Sequence, residues 1–262
     1  MEIDTKFLKA TPTLMENFVL ELTDKCNLRC VYCHQNRPDF EPTRFMSEQM
    51  VSHVMEYFRH TKPPYINLTG GGDLIMAPDW AGQCTKMLDS GIPLRSTVNL
   101  GKVLTPKEAE VFARFQMLTI SIDTIDQQAL KQYRKAVDIR TITFNIMQIK
   151  AAAKRLRTTE PEWIISAVYY AEITAGLTDV AAYAASLNAS MFGLQDLLEY
   201  DNIANNVTPV WKLQGDAAHK AIRDTRAAIA FAKDHGMELS LPGDFLARLD
   251  QFEEECDHVL AA

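Results

Sequence analysis

The stretch Leu22–Cys33 reads LTDKCNLRCVYC and holds three of the chain's five cysteines, Cys26, Cys30 and Cys33. Three thiols at spacings of four and three converge on something that wants sulfur. A disulfide frame needs an even set and an oxidising compartment, and this set is odd. Thiolates suit zinc and iron–sulfur clusters. Structural zinc takes four protein ligands, so the trio is one short unless His34 completes it. A four-iron cluster on three cysteines instead leaves one iron open.

Working outward, the residues before the loop, Phe18 to Thr23 (FVLELT), read as a short apolar strand. Beyond it, Ser47 to His60 reads as an amphipathic helix that Pro63-Pro64 ends. Further strands are expected at Tyr65–Thr69, Arg95–Leu100, Met117–Asp123, Glu162–Ala171 and Met191–Leu198, with a short one at Met237–Leu241. Helices are expected near 79–90, after the capping box Thr105-Pro106-Lys107-Glu108, at 126–135 and 138–156, after Thr178 as a cap, at 217–235 and at 244–254. Asp201 to Gly215 reads as a polar loop.

This alternation of strand and helix predicts an α/β fold with a parallel sheet and crossover helices. Central strands of a doubly wound sheet are apolar on both faces. Here Asn67 and Thr69, then Arg95, Thr97 and Asn99, then Thr119, Ser121 and Asp123 keep one polar face. That pattern predicts a partial (β/α)6, TIM-like barrel with a wet lumen, its ligand site at the strand C-termini. The expected organisation is a lead-in over 1–17, a core barrel over 18–241 and a C-terminal extension over 242–262.

The 262 residues are 47% hydrophobic and 23% charged, which suits a globular chain with a sizeable core. Met1 to Ala10 has no apolar signal-peptide region, and no apolar run is long enough to span a bilayer. A reducing cytoplasm fits the odd cysteines. The net charge of −7 argues against a dominant electrostatic grip on nucleic acid.

The loop CxxxCxxC directly after a first strand resembles the radical S-adenosylmethionine (radical SAM) superfamily. The resemblance extends to Tyr32 before the last cysteine and to Gly70-Gly71-Gly72-Asp73 after the second strand. It implies that Cys26, Cys30 and Cys33 ligate a 4Fe-4S cluster whose fourth iron takes the amino and carboxylate groups of S-adenosyl-L-methionine (SAM). It further implies that one electron splits SAM to a 5′-deoxyadenosyl radical, which abstracts a substrate hydrogen. The implied partners are a peptide or small-molecule substrate and a one-electron donor such as flavodoxin or ferredoxin.

Gly70, Gly71, Gly72 and Asp73 resemble the family's GGEP motif, with aspartate for glutamate and Leu74 for proline. The acid is expected to face the SAM ammonium. Tyr32 is expected against adenine. Ser121 and Asp123 resemble a fourth-strand motif directed at the SAM ribose or carboxylate. Asn99 and Gly101 resemble a third-strand motif with one residue inserted.

By position alone, Gln195 and Asp196 are candidates to face substrate. Cys84 reads as a small buried hydrophobe. Glu253-Glu254-Glu255 reads as a solvated helix end. Cys256-Asp257-His258 resembles the approach to a cysteine-rich SPASM or twitch domain, before which the chain would be natively short or truncated. Rival readings are a non-catalytic zinc- or Fe–S-binding protein and a radical SAM tRNA-modifying enzyme.

Overall fold

The computed structural model describes residues 18–37, 40–135, 137–200 and 207–261, with side chains through Asp257. The expected lead-in over 1–17 lies outside the described residues, as does 201–206 of the expected polar loop.

Seven parallel strands form one sheet in sequence order. They are β1 (Phe18–Val19), β2 (Ile66–Leu68), β3 (Leu94–Val98), β4 (Met117–Ser121), β5 (Glu162–Tyr169), β6 (Met191–Asp196) and β7 (Glu238–Ser240). Between them run α1 (Glu48–Thr61), α2 (Trp80–Asp89), α3 (Pro106–Phe112), α4 (Gln127–Arg134), α5 (Ile139–Leu156), α6 (Leu177–Ser186) and α7 (Gly215–Asp234), and α8 (Phe245–Ala261) follows β7. Among the described residues β1 pairs only with β2 and β7 only with β6, so the sheet is open, as a partial barrel requires.

The register sorts the two faces. Val98, Ile120, Ile165, Phe192 and Leu239 stand in one row across β3 to β7. The first four are fully or almost fully buried. The opposite face carries a row of Thr97, Thr119, Ile164, Met191 and Glu238, and above it Ser121, Ser166, Gly193 and Ser240. The alternation read from the sequence is thus the alternation of core face and lumen face.

Several helix starts follow their local chemistry. At Thr105 the hydroxyl accepts from Glu108 N at 3.2 Å and the Glu108 carboxylate accepts from Thr105 N at 2.7 Å, a complete capping box. Ser47 and Asp126 cap α1 and α4.

Three expectations shift. The first strand pairs only over Phe18–Val19, because Leu22 and Thr23 turn away to bond with the segment around Phe45. The fifth strand ends at Tyr169, where the 3-10 turn Ala171–Gly176 begins. That turn runs into α6 at Leu177, so Gly176 holds the cap position and Thr178 lies inside the first helical turn.

Candidate iron–sulfur and cofactor site

The cysteine loop leaves β1 at the C-terminal end of the sheet. Cys26, Cys30 and Cys33 are free thiols, each partly exposed. The loop is pinned from several sides. Val31 N donates to the Tyr133 carbonyl at 2.8 Å, and Cys33 N to the Cys30 carbonyl at 2.9 Å. Gln35 Nε2 donates to the Asp24 carbonyl at 2.8 Å and to the Gly71 carbonyl. Cys26 Sγ accepts from Leu28 N at 3.4 Å and from Asn99 Nδ2 at 3.6 Å. Burial pushes the Cys26 thiol up to about 12 and the Cys30 thiol to about 11. Such thiols ionise at neutral pH only with a cation or metal to stabilise them.

The glycine turn presses directly on this loop. None of Gly70, Gly71 and Gly72 has a left-handed φ, so close approach is the reason for glycine here. A Cβ at Gly72 would lie 2.3 Å from the Thr23 carbonyl oxygen and 2.5 Å from that of Lys25. At Gly70 and Gly71 it would meet side-chain atoms of Glu21 and His34. The Glu21 carboxylate accepts from the backbone N–H groups of Gly71 and Gly72.

Asp73 follows the turn and is 5% exposed. One of its oxygens accepts from Ile75 N at 3.2 Å and the other from Asn99 N at 2.8 Å. Burial raises its pKa to about 6 against those two bonds. Among the described residues no cationic side chain forms an ion pair with it. Asn99 is the hub here. Its main chain binds Asp73, and its side chain binds Cys26 and, at 2.9 Å, Asn27.

The fourth strand divides its motif. Ser121 faces the lumen in register with Ser166. Asp123 is fully buried, and its carboxylate is fully engaged within the protein. It accepts from Arg134 Nε at 2.8 Å and Nη2 at 2.7 Å, from the Tyr32 hydroxyl at 2.6 Å, from Val168 N at 3.1 Å and, at 3.4 Å, from the Tyr170 hydroxyl. A carboxylate has about four lone-pair sites. The expected contact of Asp123 with SAM therefore gives way to an internal role. Tyr32, bound to Asp123, packs its ring on Tyr170 with centroids 5.5 Å apart.

Gln195 stays on the lumen face beside Val168. Asp196 points to the other face and pairs with Arg248 at 2.7 Å, which removes it from the substrate candidates. His34 Nδ1 lies 3.7 Å from Cys33 Sγ. Cys84 is buried, as expected. Cys256 is buried on α8; Glu253-Glu254-Glu255 lie inside that helix rather than at its end, and there Glu253 pairs with Arg226 of α7 at 2.6 Å while Glu254 and Glu255 are exposed.

Arg134 is the residue that sequence reading missed. Nothing local distinguishes it from the exposed Lys131 on the same short helix or Lys135 just after it. Glu21 and Gln35 were missed likewise, since their partners are backbone groups of a distant turn.

The donor set fits an iron–sulfur cluster: three unbridged thiols on one loop, with N–H groups aimed at sulfur. Among the described residues no three His, Cys, Asp or Glu side chains lie close enough to hold a single metal ion. A cluster spreads its thiolates over separate irons and makes no such demand.

Comparisons agree with this geometry. A GTP 3',8-cyclase of Pseudomonas syringae is 30% identical over 154 residues, covering 54% of this chain and 45% of that protein. An S-adenosylmethionine-dependent nucleotide dehydratase of Selenomonas ruminantium is 27% identical over 113 residues, covering 42% and 40%. The matches thus span less than half of either relative's length. The crystal structure of Streptococcus suis SuiB bound to S-adenosylmethionine superposes with a TM-score of 0.67 at 12% identity, over 87% of this chain and 50% of that one. It supports the fold. The profile of the radical SAM superfamily matches residues 20–160, more than half of the chain, and the chain belongs to that superfamily.

Proposed function

We propose that this enzyme takes a hydrogen atom from a small-molecule substrate, with nucleotides as the first class to test. When bound, the 4Fe-4S cluster and SAM supply the one-electron chemistry that generates a 5′-deoxyadenosyl radical. Cys26, Cys30 and Cys33 hold the cluster. Gly70 to Gly72 let the second-strand turn close on the cysteine loop, so that their main chain borders the SAM pocket. Asp73 receives the SAM ammonium, Ser121 offers its hydroxyl to the ribose or carboxylate, and Tyr32 lies on the adenine side. A one-electron donor such as flavodoxin or ferredoxin reduces the cluster.

The observation that carries this reading is Asp73. It is a buried carboxylate beside three free thiols, with two backbone donors and, among the described residues, no ion-pair partner. A buried anion in this state is stabilised by an incoming ammonium. The sequence relatives named for nucleotide chemistry favour a nucleotide over a peptide. The test is substrate-dependent SAM turnover by the cluster-loaded chain, against a panel of nucleotides and one of short peptides. Nucleotide-dependent loss of SAM supports the proposal; stimulation by peptides alone contradicts the substrate class.

A further inference from the structure

The Asp123–Arg134 pair is the most deeply buried ion pair among the described residues, with side chains 0% and 5% exposed. Replacing such a pair by well-packed apolar side chains is often neutral or stabilising, so stability alone gives no reason to keep it. Its position does. The last turn of α4 faces the cysteine loop, and its carbonyls lack helical partners. The Tyr133 carbonyl accepts from Val31 N, and the Arg134 carbonyl lies 4.0 Å from Cys30 Sγ. Those two contacts fall on Cys30 and Val31, where the backbone leading to the third cysteine begins.

The guanidinium is then moored from the far side. Asp123 takes both Nε and Nη2 and is itself held by Tyr32, Tyr170 and Val168 N. Tyr32 is the residue between Val31 and Cys33, so one network grips the loop through backbone and side chain together. The cation sits beside the loop. The guanidinium carbon lies 6.0 Å from the centroid of the Tyr32 ring, next to Cys33 in the loop.

We infer that Arg134 is a positioning residue that sets the reduction potential of the cluster on Cys26, Cys30 and Cys33, its guanidinium held beside the loop by Asp123. The inference rests on the proposed cluster site. Reduction adds one negative charge, which a nearby buried cation stabilises and a nearby anion opposes. The two members of the pair therefore act on the potential with opposite signs. A merely structural pair would move it in one direction or not at all.

The experiment is an anaerobic redox titration of the reconstituted full chain, followed by the spin signal of the reduced cluster, without SAM. Wild type, R134Q, R134K and D123N are compared, with iron and sulfide content measured alongside. R134Q is expected to lower the reduced-to-oxidised ratio at fixed potential about tenfold, or about 59 mV for a one-electron couple. D123N shifts the potential upward, and R134K returns it toward wild type. Should R134Q fail to retain iron, D123N against wild type decides, an upward shift supporting the inference. Shifts of one sign for R134Q and D123N, or no shift with full cluster content, overturn it. A wild-type chain that takes up no cluster overturns instead the site reading on which it rests.

Discussion

Asp73 carries two opposed demands. Its raised pKa means that the SAM-free fold binds a proton there which the unfolded chain has released. Stability of that form falls as pH rises from about 4 to about 6, by on the order of 3 kcal/mol. In the proposed role the SAM ammonium favours the carboxylate and reverses the sign. SAM affinity should therefore be flat above pH 7 and about tenfold weaker at pH 5, as measured by calorimetry on the cluster-loaded chain. In Asp73→Ala the affinity drops and the pH slope vanishes, while iron content stays at the wild-type level. An unchanged affinity or a retained slope would remove Asp73 from the ammonium site. The sequence made this acid visible only through its place after three glycines. That it caps the turn Leu74–Met76 is local, but that it also binds Asn99 N depends on the end of a strand 26 residues away.

Among the elements, the glycine turn and the cysteine loop act as one unit. Gly72 meets backbone on its Cβ side, and backbone cannot rotate away, whereas Gly70 meets the flexible Glu21 side chain. Gly72→Ala should cost about 3 kcal/mol and lower cluster retention, while Gly70→Ala should cost below about 1 kcal/mol. Thermal midpoints and iron per chain check both; equal effects would mean that the contact at Gly72 relaxes. The capping box makes a simpler claim. Thr105→Ala should lose about 1 kcal/mol with no change in SAM affinity. That box was legible because it is local, four consecutive residues with proline at the first helical position. The cap of α6 was not, since the turn at Ala171–Gly176 is set by packing and not by Thr178. Strand faces were legible wherever polar and apolar residues alternate strictly, as in Met117–Ser121.

At the scale of the molecule, the open parallel sheet brings its chemistry to the C-terminal ends of the strands, where α/β folds bind ligands. β1 supplies the thiols, β2 the glycines and Asp73, β3 Asn99, β4 Ser121 and Asp123, and β6 Gln195. The cluster site was readable in advance because all three ligands share one short loop. Arg134 and Tyr170 were not, since each meets the loop only after several strands have been laid side by side. No helix among the described residues is long and apolar enough to cross a membrane. The lumen row Ser121, Ser166, Gly193 and Ser240 is made of small side chains, and a Cβ on Gly193 would come within 3.2 Å of the Ser240 carbonyl. The central claim is that three cysteines hold a cluster which cleaves SAM. Its most direct measurement is 5′-deoxyadenosine formed by the anaerobically reconstituted, reduced chain supplied with SAM. The account predicts product from wild type and none from Cys30→Ala; stoichiometric zinc with no SAM cleavage would contradict it.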